Sequence, residues 1–344
     1  MMATRRRRRR RNRTPLFLLL LLLLTGMVLL LISCGDRDGE GLDGDGEPTQ
    51  GDAANPGDTE GEGDIQEPEE PEPDPYEGYT IRTMTEQDMG SGEQILVSNA
   101  VPYTFPEGAA EELVVVIHEK NNSYMSKDYE TSLLPVTVSH LNDMMKDYTD
   151  QGGAVNIMVV SGHRTYDFQQ KVFDSSAARN GLEHAQRFVA QPGGSEHHTG
   201  YALDLWNTTV GDYFEGVGEC KWITDNCHKY GFILRYSEEK ETFTKIGPES
   251  WHFRYIGVPH SYLVVEKGFC YEEYIDYLKE FPFLEDHLFT TVDGVEYEIY
   301  YVEGLEVPVP EEGEYTVSGN NLDGFIVTVT KTTSVGEPPQ VPAA

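Results

Sequence analysis

Basic residues are scarce in this 344-residue chain: 26 Lys and Arg stand against 59 Asp and Glu, for a formal net charge of −33. Eight of the arginines lie at Arg5–Arg11 and Arg13, so removing residues 1–33, which carry no other charge, leaves −41. Such an acidic surface argues against nucleic acid as a partner, because phosphates need a basic face. Cysteine is scarce too, with four residues. Setting aside Cys34, which adjoins the N-terminal apolar run, Cys220, Cys227 and Cys270 remain, an odd number that cannot be fully paired within one chain. Cys220 and Cys227 are expected on one helix, about 10 Å apart by helical rise and beyond disulfide reach. Cys270 could pair with either, or all three could be small buried thiols. No internal repeat is evident.

Residues 1–34 read as an export signal. A basic head precedes an apolar run from Leu16 to Ile32, which ends in Leu31-Ile32-Ser33-Cys34-Gly35. The ending resembles a bacterial lipobox, in which the cysteine is lipid-modified and becomes the mature N-terminus. An uncleaved membrane anchor is the alternative, since the run is near the ~18–20 residues that span a bilayer. In both cases the rest of the chain is tethered at the outer face of the bacterial cytoplasmic membrane, with the arginines inside. Residues 35–77 then read as an acidic spacer. The run EPEEPEPDP offers no large apolar side chain to bury, and its like charges extend it.

Order is expected to begin between Tyr79 and Ile95. Val138, Leu141, Met144, Met145 and Tyr148 fall at helical spacing and predict a helix over 136–148. The run 154–160 predicts a buried strand, and a second helix is expected over 166–179. Residues 201–206 read as a strand with Ala202, Asp204 and Trp206 on one face. A helix over 219–230 stops at Gly231. Strands follow at 232–236 and 251–256, then a helix at 271–280. This mixture predicts an α+β domain over 95–283, with a central antiparallel sheet flanked by helices. Residues 286–333 alternate apolar and polar positions between turn signals such as Asp293-Gly294 and Asp323-Gly324, and predict a small antiparallel β appendage.

The sharpest signals are Ser195-Glu196-His197-His198-Thr199-Gly200-Tyr201-Ala202-Leu203-Asp204 and Glu249-Ser250-Trp251-His252-Phe253-Arg254-Tyr255. A catalytic zinc site needs three nitrogen or oxygen ligands and an open position for water. His197, Asp204 and His252 could supply the ligands, from one loop and two strands. Glu249, three residues before His252, is placed in sequence to manage protons.

These motifs resemble the VanY-like D-alanyl-D-alanine carboxypeptidases, zinc peptidases of bacterial cell walls. The family patterns S-x-H-x-x-G-x-A-x-D and E-x-W-H match from Ser195 and Glu249. A third pattern, S-G-[YF]-R-[ST], matches at Ser161-Gly162-His163-Arg164-Thr165, with Gln169 five residues after the arginine. His163 departs from the usual aromatic residue, and Ser237-Glu238-Glu239 from a usual Pro-and-Gly turn. The resemblance implies zinc on His197, Asp204 and His252, Glu249 as general base and acid, and Arg164 polarising the scissile carbonyl. It also implies Ser195 and Gln169 as substrate-holding residues, and peptidoglycan stem peptides as substrates. His198 falls on a variable position and is not assigned a role. An endopeptidase and a zinc-containing, non-catalytic wall-binding module are the competing readings; the second would not need Glu249 and Arg164 beside the ligands.

Overall fold

The helix expected near 136–148 runs from Pro135 to Asp150, with proline in its first turn, where a missing N–H costs nothing. It buries Val138, Leu141, Met144, Met145 and Tyr148 against one face of a sheet. This computed structural model describes residues 74–331. The export segment, Cys34 and nearly all of the acidic spacer lie outside the described residues, among which no helix is long and apolar enough to cross a membrane.

That sheet has its long strands at Ile157–Ser161, Ala202–Asn207, Glu249–Tyr255 and Phe232–Tyr236, in this spatial order and antiparallel throughout. At one edge Met125–Ser126 pairs parallel to Ile157–Ser161, so the sheet is mixed, a departure from the purely antiparallel expectation. Leu203, Leu205 and Phe253 join the helix core, each fully buried. Truncating any one of them to alanine would cost about 2–5 kcal/mol through lost burial and the cavity left behind. Because side chains alternate along a strand, Asp204 and His252 fall on the opposite face.

The sequence-based boundaries shift in several places. The 219–230 helix is broken into three turns, Gly218–Cys220, Lys221–Asn226 and Cys227–Tyr230, closed by Gly231 in the left-handed conformation. Cys220, Cys227 and Cys270 are all free and buried. Five helices were not anticipated: the single turns Glu86–Met89, Val116–Glu119 and Glu241–Thr244, and the longer Leu182–Phe188 and His260–Lys267. The strand Glu249–Tyr255 begins two residues before the expected position 251, which puts Glu249 itself on the strand.

The C-terminal residues form a four-stranded antiparallel sheet, ordered Leu288–Val292, Val295–Glu303, Gly324–Lys331, Glu314–Gly319. An early segment, Tyr79–Thr83, pairs with Glu306–Pro310. Leu263, Ile275 and Leu278 from the helices His260–Lys267 and Tyr271–Leu278 share a core with Leu288, Ile299 and Ile326 of this sheet. His260 adds a buried bridge, its ring nitrogens 2.6 Å from the Tyr274 hydroxyl and 2.8 Å from Thr328 Oγ1.

Candidate active site

His197 lies on a tight turn, Glu196–Thr199, whose first N–H groups need a cap. The Ser195 hydroxyl accepts from the His197 amide at 3.4 Å. Gly200 then reverses the chain at φ +79°; a Cβ there would also come within 2.8 Å of Leu113. The chain enters the Ala202–Asn207 strand, where Asp204 stands directly opposite His252 in antiparallel register. Three sequence-distant residues thereby meet: one ligand atom from each of His197, Asp204 and His252 lies within 4.8 Å of the other two, and all three residues are buried.

Their surroundings fit a metal ion. His197 Nδ1 lies 2.7 Å from the carbonyl of Gly162, so it carries the proton and donates. Nε2 is left with its lone pair toward Asp204 Oδ2, at 3.3 Å. Gly162 leaves no room for a side chain on its other flank, since a Cβ would lie 2.3 Å from the Ser132 carbonyl. His252 presents Nδ1 to Asp204 Oδ1 at 3.2 Å, while its Nε2 faces the Glu196 carboxylate at 3.3 Å. Asp204 Oδ1 is buried and has no hydrogen-bond partner, an atom that costs free energy unless something binds it. Burial lowers His197 to about 4, helped by Arg164, which keeps it neutral as a ligand must be. Burial also opposes charge on His252, yet Asp204 and Glu196 raise it to about 9. The cluster thus favours a positive charge where a cation would sit.

Glu249 Oε2 lies 3.7 Å from His252 Nδ1. Burial pushes its carboxyl up to about 8, with His252 pulling the other way. A divalent cation beside it would draw it back down. Arg164 is held from three sides: Nε donates to Ser161 Oγ at 2.9 Å, Nη2 to Asp204 Oδ2 at 2.6 Å and Nη1 to Gln169 Oε1 at 3.3 Å. Gln169 spends its amide nitrogen on the Ala190 carbonyl at 2.7 Å, which fixes the oxygen that it turns to Arg164. His198 turns away from the cluster. Its Nε2 accepts from the Gly193 amide at 3.0 Å, and its Nδ1 donates to the Arg164 carbonyl at 2.6 Å. All seven residues singled out from the sequence line or cap a single pocket of about 490 Å³, which is walled on one side by Tyr213 and Trp251.

A second ring of charge was not anticipated. Glu196 accepts from Arg235 Nε at 2.8 Å and lies 3.3 Å from Arg254 Nη1, and all three side chains are fully buried. Arg235 reaches on to Glu272 with both terminal nitrogens, at 3.0 and 2.7 Å. Burial pushes the Glu196 carboxyl up, but Arg235 and Arg254 outweigh it and hold it well below the usual range. The carboxylate thus stays charged behind His252, the arrangement that orients a ligating histidine. One sequence signal pointed here: Arg235 interrupts the apolar strand Phe232–Tyr236, and a buried arginine requires a buried anion.

A family model described as D-alanyl-D-alanine carboxypeptidase, VanY, matches residues 130–258, a span holding all seven of these residues. A D-alanyl-D-alanine carboxypeptidase of Enterococcus faecium is 34% identical over 260 residues, covering 72% of this chain and 78% of that protein. The chain belongs to the VanY D-alanyl-D-alanine carboxypeptidase family. It is a metallo-carboxypeptidase by that membership. A bifunctional D-Ala-D-Ala dipeptidase and D-Ala-D-Ala carboxypeptidase of Enterococcus gallinarum, VanXYC, is 37% identical over 131 residues, 36% of this chain and 69% of that one. Among solved structures, the vancomycin-resistance D,D-dipeptidase VanXYg, in complex with a D-Ala-D-Ala phosphinate analogue, superposes with a TM-score of 0.65 at 29% identity. It covers 74% of this chain and 99% of its own.

Proposed function

We propose that this family member uses zinc to remove the C-terminal D-alanine of peptidoglycan stem peptides, cutting a D,D- or an L,D-bond. The observation that carries the reading is the meeting of three candidate ligands, a buried carboxylate and a braced guanidinium in one pocket. His197 Nε2, Asp204 Oδ1 and His252 Nδ1 would hold the ion. Bound there, zinc supplies Lewis acidity to a water molecule and to the scissile carbonyl. Glu249 then takes the proton of the attacking water and returns it to the leaving amine. Arg164, permanently charged and fixed by Ser161, Gln169 and Asp204, offers its positive field to the carbonyl oxygen as negative charge builds there. Ser195 shapes the turn that presents His197, and lines the pocket in which the peptide lies.

The same reading places the enzyme at the outer face of the cytoplasmic membrane, tethered through lipid on Cys34 or through the Leu16–Ile32 run, with the acidic spacer holding it off the surface. Stem penta- and tetrapeptides incubated with the zinc-loaded protein, with products weighed by mass spectrometry, test the activity. Loss of a single alanine from either supports it and names the bond. Intact peptides, or cleavage inside the stem, overturn it.

A further inference from the structure

The helix Tyr166–Asn180 forms one long wall of the catalytic pocket. It contributes Gln169, Val172, Ser176, Arg179 and Asn180 to the lining, at steps of three, four, three and one, which is one helical face. Gln169 touches Arg164 at the catalytic end. Arg179 lies ten residues further on, about 15 Å along the helix axis. An extended peptide advances about 3.3–3.6 Å per residue, so this wall accommodates about four residues. A carboxypeptidase has one residue on its leaving side, too short to need such a groove. The long arm therefore receives the acyl side of the substrate.

At the end of that arm stands a cation without an anion among the described residues. Arg179 donates from Nε to the Ser175 carbonyl at 3.2 Å, and its terminal nitrogens form no ion pair among the described residues. Its neighbours are committed differently: Arg164 is bound to Asp204, and Arg187 to Glu241. A cation in the last turn of a helix is favoured by the helix dipole wherever it points. The dipole does not explain why Arg179 shares the pocket lining with Asn180 and with His184 from the next helix, two further nitrogen donors. A guanidinium that no described carboxylate claims, beside those donors, is set for a carboxylate brought by the substrate.

We infer that Arg179, Asn180 and His184 form a carboxylate-recognising subsite, which holds an anionic group of the substrate two to four residues on the acyl side of the cut bond. The inference rests on the function proposed above. Such a group could be a free carboxylate on the second residue of the stem, or one on the side chain of a diamino acid at the third.

The test uses the full zinc-loaded chain and four synthetic stem peptides, each made as the pentapeptide ending in D-Ala-D-Ala and as the tetrapeptide one alanine shorter. One pair carries a carboxylate or its carboxamide at residue two; the other carries the same pair of groups on the side chain of residue three. The wild type should favour the acid over the amide in one pair by about fivefold to tenfold, chiefly in KM, as one charge-assisted contact allows, and added salt should shrink the preference. The pair that shows it names the source of the carboxylate. Arg179→Gln should raise KM for the acid peptide to the amide value, and Arg179→Lys should keep most of the preference. Equal KM for acid and amide in both pairs overturns the subsite. An Arg179→Gln protein that slows acid and amide by the same factor overturns it as well. Failure of the wild type to cut any of the four peptides at either length overturns the underlying function, and the subsite with it.

Discussion

Replacing Glu196 by glutamine would remove one negative charge from a fully buried cluster while keeping its volume. The carboxylate serves Arg235, Arg254 and His252 together, at 2.8, 3.3 and 3.3 Å. A glutamine amide can accept on one side only, so its NH₂ must face either a guanidinium or the His252 ring N–H, donor against donor. Breaking a buried ion pair from one side costs about 3–5 kcal/mol. Arg235 retains Glu272, which places the loss at the lower end, about 3 kcal/mol. For a domain of this size that lowers Tm by roughly 6–12 °C. A second effect is separable from the first. His252 loses the carboxylate that fixes its Nε2, and loss of such a partner weakens metal binding by about 10–100-fold. Calorimetric unfolding measures the stability, and zinc competition against a chelator measures the affinity. A Glu196→Gln protein with the wild-type Tm and the wild-type zinc affinity would refute the reasoning. A lowered Tm with unchanged affinity would leave Glu196 a counter-ion of the arginines with no part in orienting His252.

Glu249→Gln should lower kcat by about 10²–10⁴-fold with zinc content and Tm preserved, because an amide cannot carry the proton; near-normal turnover would assign the base elsewhere. Arg164→Lys should lower kcat by about 10²-fold, since an ammonium cannot meet Ser161, Asp204 and Gln169 at once, and steady-state kinetics on a stem pentapeptide reads it. In the C-terminal sheet, hydrogen bonding to His287 holds Glu298 down at about 2, while Glu298 raises His287 against the opposing effect of burial. The Glu298 contribution is present above the unfolded carboxylate range of about 4.3 and lost as pH falls toward 2; the His287 contribution is full below about 6.5 and lost as pH rises past the folded value. Unfolding followed against pH should therefore show a contribution that is greatest between about pH 4.5 and 6.5 and falls away on both sides, and Glu298→Gln should remove it. Mass spectrometry of the mature N-terminus should find lipid on Cys34, and retention of Arg5–Arg13 would establish the anchor instead.

The elements that were legible in the sequence owe their legibility to periodicity and punctuation. Val138, Leu141, Met145 and Tyr148 repeat at helical spacing because one face of Pro135–Asp150 meets the sheet. The strand Phe232–Tyr236 is bounded at its start by Gly231 and is apolar because both of its faces are covered. The helices Leu182–Phe188 and His260–Lys267 escaped notice for opposite reasons. The first buries little beyond Ala185 and has no apolar stripe to detect; the second has eight residues and is set off only by Pro259 before it and Gly268 after it. The pairing of Tyr79–Thr83 with Glu306–Pro310 joins residues more than two hundred positions apart, and no local pattern carries such a register.

The candidate site divides along the same line. His197, Asp204, His252, Glu249 and Arg164 stand out because their chemistry demands fixed residue types at short spacings within two or three motifs. Glu196, Arg235, Arg254 and Glu272 act as a set only once the turn at Gly200 and the strand pairing bring them together, and the spacing from Glu196 to Glu272 says nothing about which carboxylate will face which guanidinium. Burial decides it: with their side chains fully covered, Arg235 and Arg254 cannot stay charged without an anion, and Glu196 is the carboxylate within reach of both. On the proposed function, His252 as a ligand is backed by Glu196, which itself needs Arg235 and Arg254, so the residues that hold this centre in shape extend at least two contacts beyond the proposed ligands.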